Sequence, residues 1–295
     1  MSTGKNLRKI DLTMNCQICD GVTRRLFQIN QYPIRVCEAC GHQCAELPSV
    51  ADHVANIYDD EYFFGGGAGY SDYLMESELL ISHGRRYAQI ISGYTNPGLM
   101  LDVGAAAGFL LKGFVDSGWT GLGIEPNERM AEYARSKLNM NVVVGSLESF
   151  EDERRFDLIT MIQVIGHFVD VGLALEVAAK HLAPSGLLLV ESWDRESWTA
   201  RLFGKRWHEY SPPSVVHWFS RNELTQLGAR NQLRQICVGR PSKWLNGGHA
   251  RSLLNHKLGA SRFTQPLKQL TRLIPSRLPI PYPSEDLFWM LFQKD

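Results

Sequence analysis

The sequence predicts an α/β protein: a mostly parallel, doubly wound sheet with helices on both faces, joined to a small cysteine-rich module at its N-terminal end. Three observations carry this. From residue 99 onward, short and fully apolar runs alternate with segments of helical periodicity, the pattern of a parallel sheet buried on both faces. The first such run ends in a glycine turn, "LDVGAAAGF" (101–109), the strand–turn–helix passage with which nucleotide-binding sheets begin. Four of the six cysteines form two Cys-x2-Cys pairs near the start of the chain.

The cysteine module comes first. Cys16 and Cys19 are followed, after the 17 residues 20–36, by Cys37 and Cys40, a spacing that fits a structural zinc site. Each pair forms a tight knuckle that presents two thiolates to one tetrahedral ion, and Gly41 suits the turn that brings backbone amides to the sulfurs. His42 and Cys44 are competing donors, although His42 lies too close to Cys40 to be a natural fifth ligand. A redox pair or unrelated buried thiols are the alternatives. Four thiolates leave no position for water, so the expected role is folding and support. Residues 1–48 are read as this ribbon, 49–98 as a linker and helical cap that contains the glycine-rich "YFFGGGAGY", and 99–295 as the main domain.

Within the main domain the elements follow in order. Strand 99–104 leads to helix 108–117, strand 120–126 to helix 128–138, and strand 141–145 follows. Strand 156–162 leads to helix 171–182 and then to strand 186–192. Strand 232–239 is sixth, and "DLFWMLFQK" (286–294) returns antiparallel as the last of seven. At 295 residues and 44% hydrophobic content the chain can bury a full core. Lys plus Arg and Asp plus Glu balance at 31 each, so no net field favours nucleic acid. The balance is uneven, however, because no acidic residue lies between Glu223 and Glu285 while ten Lys and Arg do. This makes 240–285 a basic insertion in which Leu267, Leu270, Leu273 and Ile274 at helical spacing form either a face for a membrane surface, an anionic substrate or a dimer partner, or one side of a solvated helical flap. No apolar run approaches the roughly 18 residues of a membrane span, and a cytoplasmic location is expected.

In such a sheet, ligands bind beyond the C-terminal strand ends, where strand order reverses. The first strand ends at Asp102, Gly104 and Gly108, where small residues let a ligand approach the backbone. The second ends at Glu125 and Pro126, with the Glu125 carboxylate 17 residues beyond Gly108 (125 minus 108) and placed to accept from two ribose hydroxyls. The third ends at Gly145-Ser146-Leu147 and the fourth at Gln163. Phe109 stands where a dinucleotide fingerprint needs its last glycine, which disfavours a nicotinamide oxidoreductase.

These motifs resemble the class I S-adenosylmethionine-dependent methyltransferases over roughly residues 85–240 and the last strand. "LDVGAAAGFLL" is similar to their first motif with alanine at the central glycine, "GLGIEPNERMAEYAR" to the second, "GSLESF" to the adenine loop and "FDLITMIQVIGHFVDV" to the fourth. The resemblance implies a Rossmann-like fold. It also implies that Gly104, Ala106 and Gly108 line the methionine end, Glu125 holds the ribose, Ser146 and Leu147 flank the adenine, and Gln163 closes the pocket. The cysteine module, the "YDDEYFFGGGAGYSDY" link and "GKRWHEYSPPSVVHWFSRNEL" (204–224) resemble a narrower group of bacterial methyltransferases with a zinc-binding N-terminal domain, many of which modify sugars, glycans or natural products. That group commonly has an acidic residue before the histidine of the fourth motif; this chain has Gly166-His167.

A sulfonium-borne methyl group is already activated, so the protein must chiefly position the acceptor and remove its proton. His167, at the mouth of the expected pocket, suits a general base, or is a helix-start histidine packed on an aromatic ring. His208, Glu209 and His217 lie beyond the fifth strand among Trp207, Tyr210 and Trp218, a mixture that suits a sugar or ring-bearing small molecule and is equally explained by packing. Tyr62, Phe63, Tyr70 and Tyr73 around Gly65–Gly67 form either a lid over the cofactor or an ordinary connector. The expected cofactors are S-adenosylmethionine and zinc, with no nucleic-acid partner. The competing function is a binding protein that has lost catalysis and uses the ribbon to recognise nucleic acid or protein.

Overall fold

The computed structural model describes residues 15–47, 63, 73–242, 244–248, 251, 271, 273, 275–276, 278–281 and 283–295. The glycine-rich link and most of the basic insertion lie outside the described residues, and with them the expectations for Tyr62, Tyr70 and the 240–285 face.

The main sheet has seven strands: β4 (Leu99–Val103), β5 (Thr120–Glu125), β6 (Val142–Val144), β7 (Phe156–Ile162), β8 (Leu182–Trp193), β10 (Leu233–Gly239) and β13 (Leu287–Lys294). Their spatial order is β10-β13-β8-β7-β4-β5-β6, with β13 antiparallel to both of its neighbours and the other pairs parallel. The predicted sheet, its antiparallel last strand and its apolar runs are therefore all present. Alternation sorts each strand between two cores. Leu101, Val103, Leu188, Val190 and Phe288 pack with α4 (Val171–His181) and α6 (Arg221–Arg230). Met100, Leu187, Leu189, Trp289 and Leu291 pack with α1 (Ser77–Ile91), α2 (Phe109–Val115) and α3 (Glu128–Leu138).

Local chemistry sets the helix ends. Asn127 caps α3 and Asp170 caps α4 through their side chains, while Ser220 and Glu223 form a capping box on α6. Helix α1 crosses α2 at a glycine pair: a Cβ on Gly84 would lie 2.3 Å from the Leu110 carbonyl oxygen, and one on Gly113 2.3 Å from that of Ile81.

The ribbon contributes β1 (Thr23–Ile29), β2 (Tyr32–Cys37) and β3 (Gln43–Ala45). Strand β9 (His217–Trp218), which follows helix α5 (Trp198–Phe203) in the main domain, pairs with β3 and completes a four-stranded antiparallel sheet. Cys16, Ile18 and Cys37 belong to the same buried cluster as the main sheet, and Arg230 of α6 donates to the Ile18 carbonyl at 2.6 Å. Within the insertion β11 (Trp244–Asn246) pairs antiparallel with β12 (Pro279–Pro281).

Candidate functional site

The chain runs from β4 outward through β5 and β6, then returns through β7 and β8 on the other side, so strand order reverses between β4 and β7. Around that point the turn after β4 alternates left-handed residues, Gly104 at φ +70°, Ala106 at +46° and Gly108 at +78°. A Cβ at Gly104 would lie 2.6 Å from Val164 Cγ2, so glycine is required there by space as well as conformation. Ala106 tolerates the left-handed conformation at a strain of about 1 kcal/mol.

Two buried carboxyls flank this turn. Glu125, 3% exposed, accepts from the Ala106 amide and the Asn127 amide, each at 2.8 Å. Asp102, 2% exposed, accepts from Thr160 Oγ1 at 2.6 Å through Oδ1, while Oδ2 has no hydrogen-bond partner among the described residues. Burial pushes both carboxyls up to about 7, against the hydrogen bonds that hold them down. An orphaned buried acceptor calls for a donor. A ligand that brings hydroxyls and an ammonium group would supply the donor that Asp102 Oδ2 lacks and could share the remaining lone pairs of Glu125, so the residues fit S-adenosylmethionine. Pro126 continues the strand end, and Ser146 with the buried Leu147 starts a short 3-10 turn after β6.

Gln163 ends β7 in a left-handed conformation, φ +58°, a strained position for a non-glycine residue. Its side chain donates to Glu191 Oε1 at 2.6 Å. Gln163 also lines a small pocket together with Gly166, His167, Ser192, Trp193, Val215, His217 and Trp218. His167 Nδ1 lies 2.7 Å from the Ser214 carbonyl oxygen. A carbonyl only accepts, so Nδ1 carries the proton and Nε2 the lone pair. His217 is fully buried in the same wall, 2.9 Å from His42 Nε2 through Nδ1, and burial and the neighbouring His42 push it down to about 3. His208 and Glu209 are joined at 3.2 Å, and the His208 ring sits edge-on to Trp193. Two of the four expected catalytic side chains thus share one pocket, and the other two pack beside its wall.

A cluster missed from sequence lies on the opposite face of β8. Glu191, wholly buried, accepts from the Tyr87 hydroxyl as well as from Gln163, with His83 Nε2 3.4 Å away. The signal was an acidic residue closing the otherwise apolar run "GLLLVES".

In the ribbon, the ligand atoms of Cys16, Cys19, Cys37 and Cys40 all lie within 4.8 Å of one another. Cys16 and Cys40 are 3.7 Å apart at sulfur, and Cys19 and Cys37 3.4 Å. A tetrahedral zinc–thiolate site has sulfurs about 3.8 Å apart, so the four could hold such an ion. Gly41 takes φ +81° at the second knuckle, and the amides of Ile18 and Cys40 point at Cys16 and Cys37 sulfurs at 3.4 and 3.5 Å. Burial pushes the Cys16 thiol up to about 11, so a bound cation would be needed to keep it ionised. Cys44 lies outside the set, paired in β3 opposite Arg35 and His217.

Comparison with known proteins agrees with this geometry. Over 127 residues the chain is 28% identical to the ubiquinone biosynthesis O-methyltransferase of Nitrobacter winogradskyi, a match covering 41% of this chain and 47% of that protein. It is 29% identical over 145 residues to the enzyme of the same name from Bradyrhizobium sp. (strain ORS 278), covering 45% and 57%. The chain therefore spans about half the length of the curated relatives it matches. Its fold is that of a S-adenosylmethionine-dependent methyltransferase from Thermotoga maritima, with TM-score 0.50, 21% identity, and coverage of 76% of this chain and 92% of that one. It is likewise that of the magnesium protoporphyrin IX methyltransferase of Synechocystis solved with bound SAH, with TM-score 0.50, 12% identity and coverage of 83% and 94%. The family described as "Methyltransferase domain" matches residues 85–238, which is 154 of the 295 residues and takes in every strand end described above, and the chain belongs to that family.

Proposed function

We propose that this chain transfers the methyl group of S-adenosylmethionine to a hydroxyl of a small, ring-bearing acceptor, a sugar, glycan or natural product. The observation that carries the reading is the contact of His167 Nδ1 with the Ser214 carbonyl oxygen, which in the neutral ring assigns the lone pair to Nε2, in an aromatic-lined pocket that shares Gln163 with the strand ends beside Asp102 and Glu125. When bound, the cofactor supplies a methyl group activated by its sulfonium. The chain does the rest. Glu125 and Asp102 accept from the ribose hydroxyls and the ammonium group, Ser146 and Leu147 flank the adenine, and the 104–108 turn leaves room at the methionine end. Trp193 and Trp218 form apolar walls beside the acceptor ring and exclude water. His167 Nε2 takes the proton that the acceptor hydroxyl loses as its oxygen gains the methyl carbon.

The same reading divides the chain into a zinc ribbon (1–48), a linker and cap (49–98) and a methyltransferase domain (99–295). The O-methyltransferase relatives support oxygen as the methylated atom, and the pocket's aromatic walls support the ring-bearing acceptor. The test has two steps. Calorimetric titration with S-adenosylmethionine and with NAD should give binding only to the first. A panel of hydroxylated sugars and phenols with labelled methyl donor should then give a labelled methyl ether. Binding of NAD alone, or label appearing on nitrogen rather than oxygen, would overturn it.

A further inference from the structure

Helix α5 and the 3-10 turn after it, Gly204–Arg206, follow β8 and lead into the wall of the acceptor pocket. In α5, Ala200 turns inward, 5% exposed, while Trp198, Leu202 and Phe203 are 62%, 68% and 52% exposed. No other stretch of the described residues gathers three exposed large apolar side chains within six positions. Arg201, Lys205 and Arg206 are exposed beside them, and 197–207 contains no acidic residue. At the N-terminal end of the helix Glu285 accepts from the Trp198 and Thr199 amides at 2.9 and 3.2 Å, while beyond the turn Asp286 accepts from Trp207 Nε1 at 3.2 Å and Glu209 lies 3.2 Å from His208. The helix is thus anchored at one end, and its other end carries cations.

Apolar side chains left in water need a partner to cover them. Three of them offer roughly half of the 800 Å² per side that a standard protein–protein interface buries, too little for a stable dimer. A bilayer surface asks for less area and for this mixture: an aromatic ring at headgroup level, aliphatic and phenyl groups among the upper acyl chains, and cations among anionic headgroups. The long stems of Arg and Lys reach those headgroups while the apolar groups insert.

We infer that α5 and the turn after it dock this protein on an anionic membrane surface, with Trp198, Leu202 and Phe203 inserted and Arg201, Lys205 and Arg206 paired to lipid headgroups. Docking stands independently of the proposed reaction, and its test reads no methyl transfer. The full chain would be sedimented with vesicles of phosphatidylcholine alone and of phosphatidylcholine mixed equally with phosphatidylglycerol. Expected is binding to the mixed vesicles that weakens with salt, and fluorescence quenching by brominated acyl chains that is lost in Trp198→Ser. The triple variant W198S/L202S/F203S should bind at least about tenfold more weakly, and R201E/K205E/R206E should lose the preference for anionic lipid. These positions are exposed, and unchanged circular dichroism verifies folding. Failure to bind either vesicle, binding that both variants retain, or a concentration-dependent dimer abolished by the apolar variant would overturn the inference, the last by assigning the face to a second copy.

Discussion

Glu125 and Asp102 carry two expectations, one for binding and one for pH. On the proposed reading, replacing Glu125 by Gln removes a charged acceptor from two ribose hydroxyls, at about 1.5 to 3 kcal/mol for a hydrogen bond to a charged group. Calorimetry should therefore give a dissociation constant for S-adenosylmethionine raised at least about tenfold; an unchanged value would remove Glu125 from the ribose. Both carboxyls are raised by burial to about 7 in the folded chain. As pH rises from about 4, the unfolded chain ionises them first, so their contribution lowers stability progressively up to about pH 7 and is absent below about 4. The Asp102→Asn variant should show a flatter fall in melting temperature between about pH 5 and 7 than the parent. His167→Ala should lower kcat by about a hundredfold or more with cofactor affinity intact, because on the proposed reading it takes a proton from the acceptor and does not hold the donor. An undiminished rate at saturating acceptor would move the base to His208, Glu209 or His217.

At the scale of elements, the contact between α1 and α2 is the tightest joint around the site. A side chain at Gly84 meets the Leu110 carbonyl oxygen and the Gly113 backbone, neither of which can rotate away. Gly84→Ala should destabilise by about 3 kcal/mol and lower the melting temperature by roughly 10 °C. It should also weaken cofactor binding, since α2 begins at the Gly108 turn. A variant as stable as the parent by thermal denaturation would show that the helices can separate without consequence. Most elements were legible in the sequence: β7 and α3 match the expected bounds, and the others lie within a few residues, apart from β8. That strand starts four residues earlier than expected, because Leu182 pairs with Phe156 before the register shifts and Leu158 meets Leu187. Short elements without periodicity were not legible. Strand β9 is two residues long, and only the waiting edge of β3 makes it a strand.

For the molecule as a whole, the ribbon and the main sheet share a buried cluster, the β3–β9 pairing and the His42–His217 contact. Cys37→Ser, or a chelator, should release about one zinc per chain by elemental analysis and unfold the ribbon strands, since metal-binding energy in such a site is folding energy. Cofactor affinity should stay within about threefold, because β4–β6 and their turns hold the donor residues. The Michaelis constant for the acceptor should rise at least about tenfold, because β9 lines the pocket and loses its strand partner β3. Loss of cofactor binding in the metal-free chain would show that the two parts fold as one unit.

The sequence by itself determined the order and type of the main elements, the antiparallel last strand and the four thiols. These are local signals: apolar runs, helical periodicity, glycine at left-handed positions and Cys-x2-Cys spacing each express a preference within a few residues of chain. Tertiary structure decided which groups meet across long separations. The polar cluster of Tyr87, Gln163 and Glu191 draws on three elements up to 104 residues apart, and the pocket wall is completed by a strand that the ribbon recruits from 217–218. The tautomer of His167 depends on the Ser214 carbonyl, 47 residues away. Such contacts follow from how two apolar faces of one sheet bring their covering elements together, and no spacing along the chain encodes them.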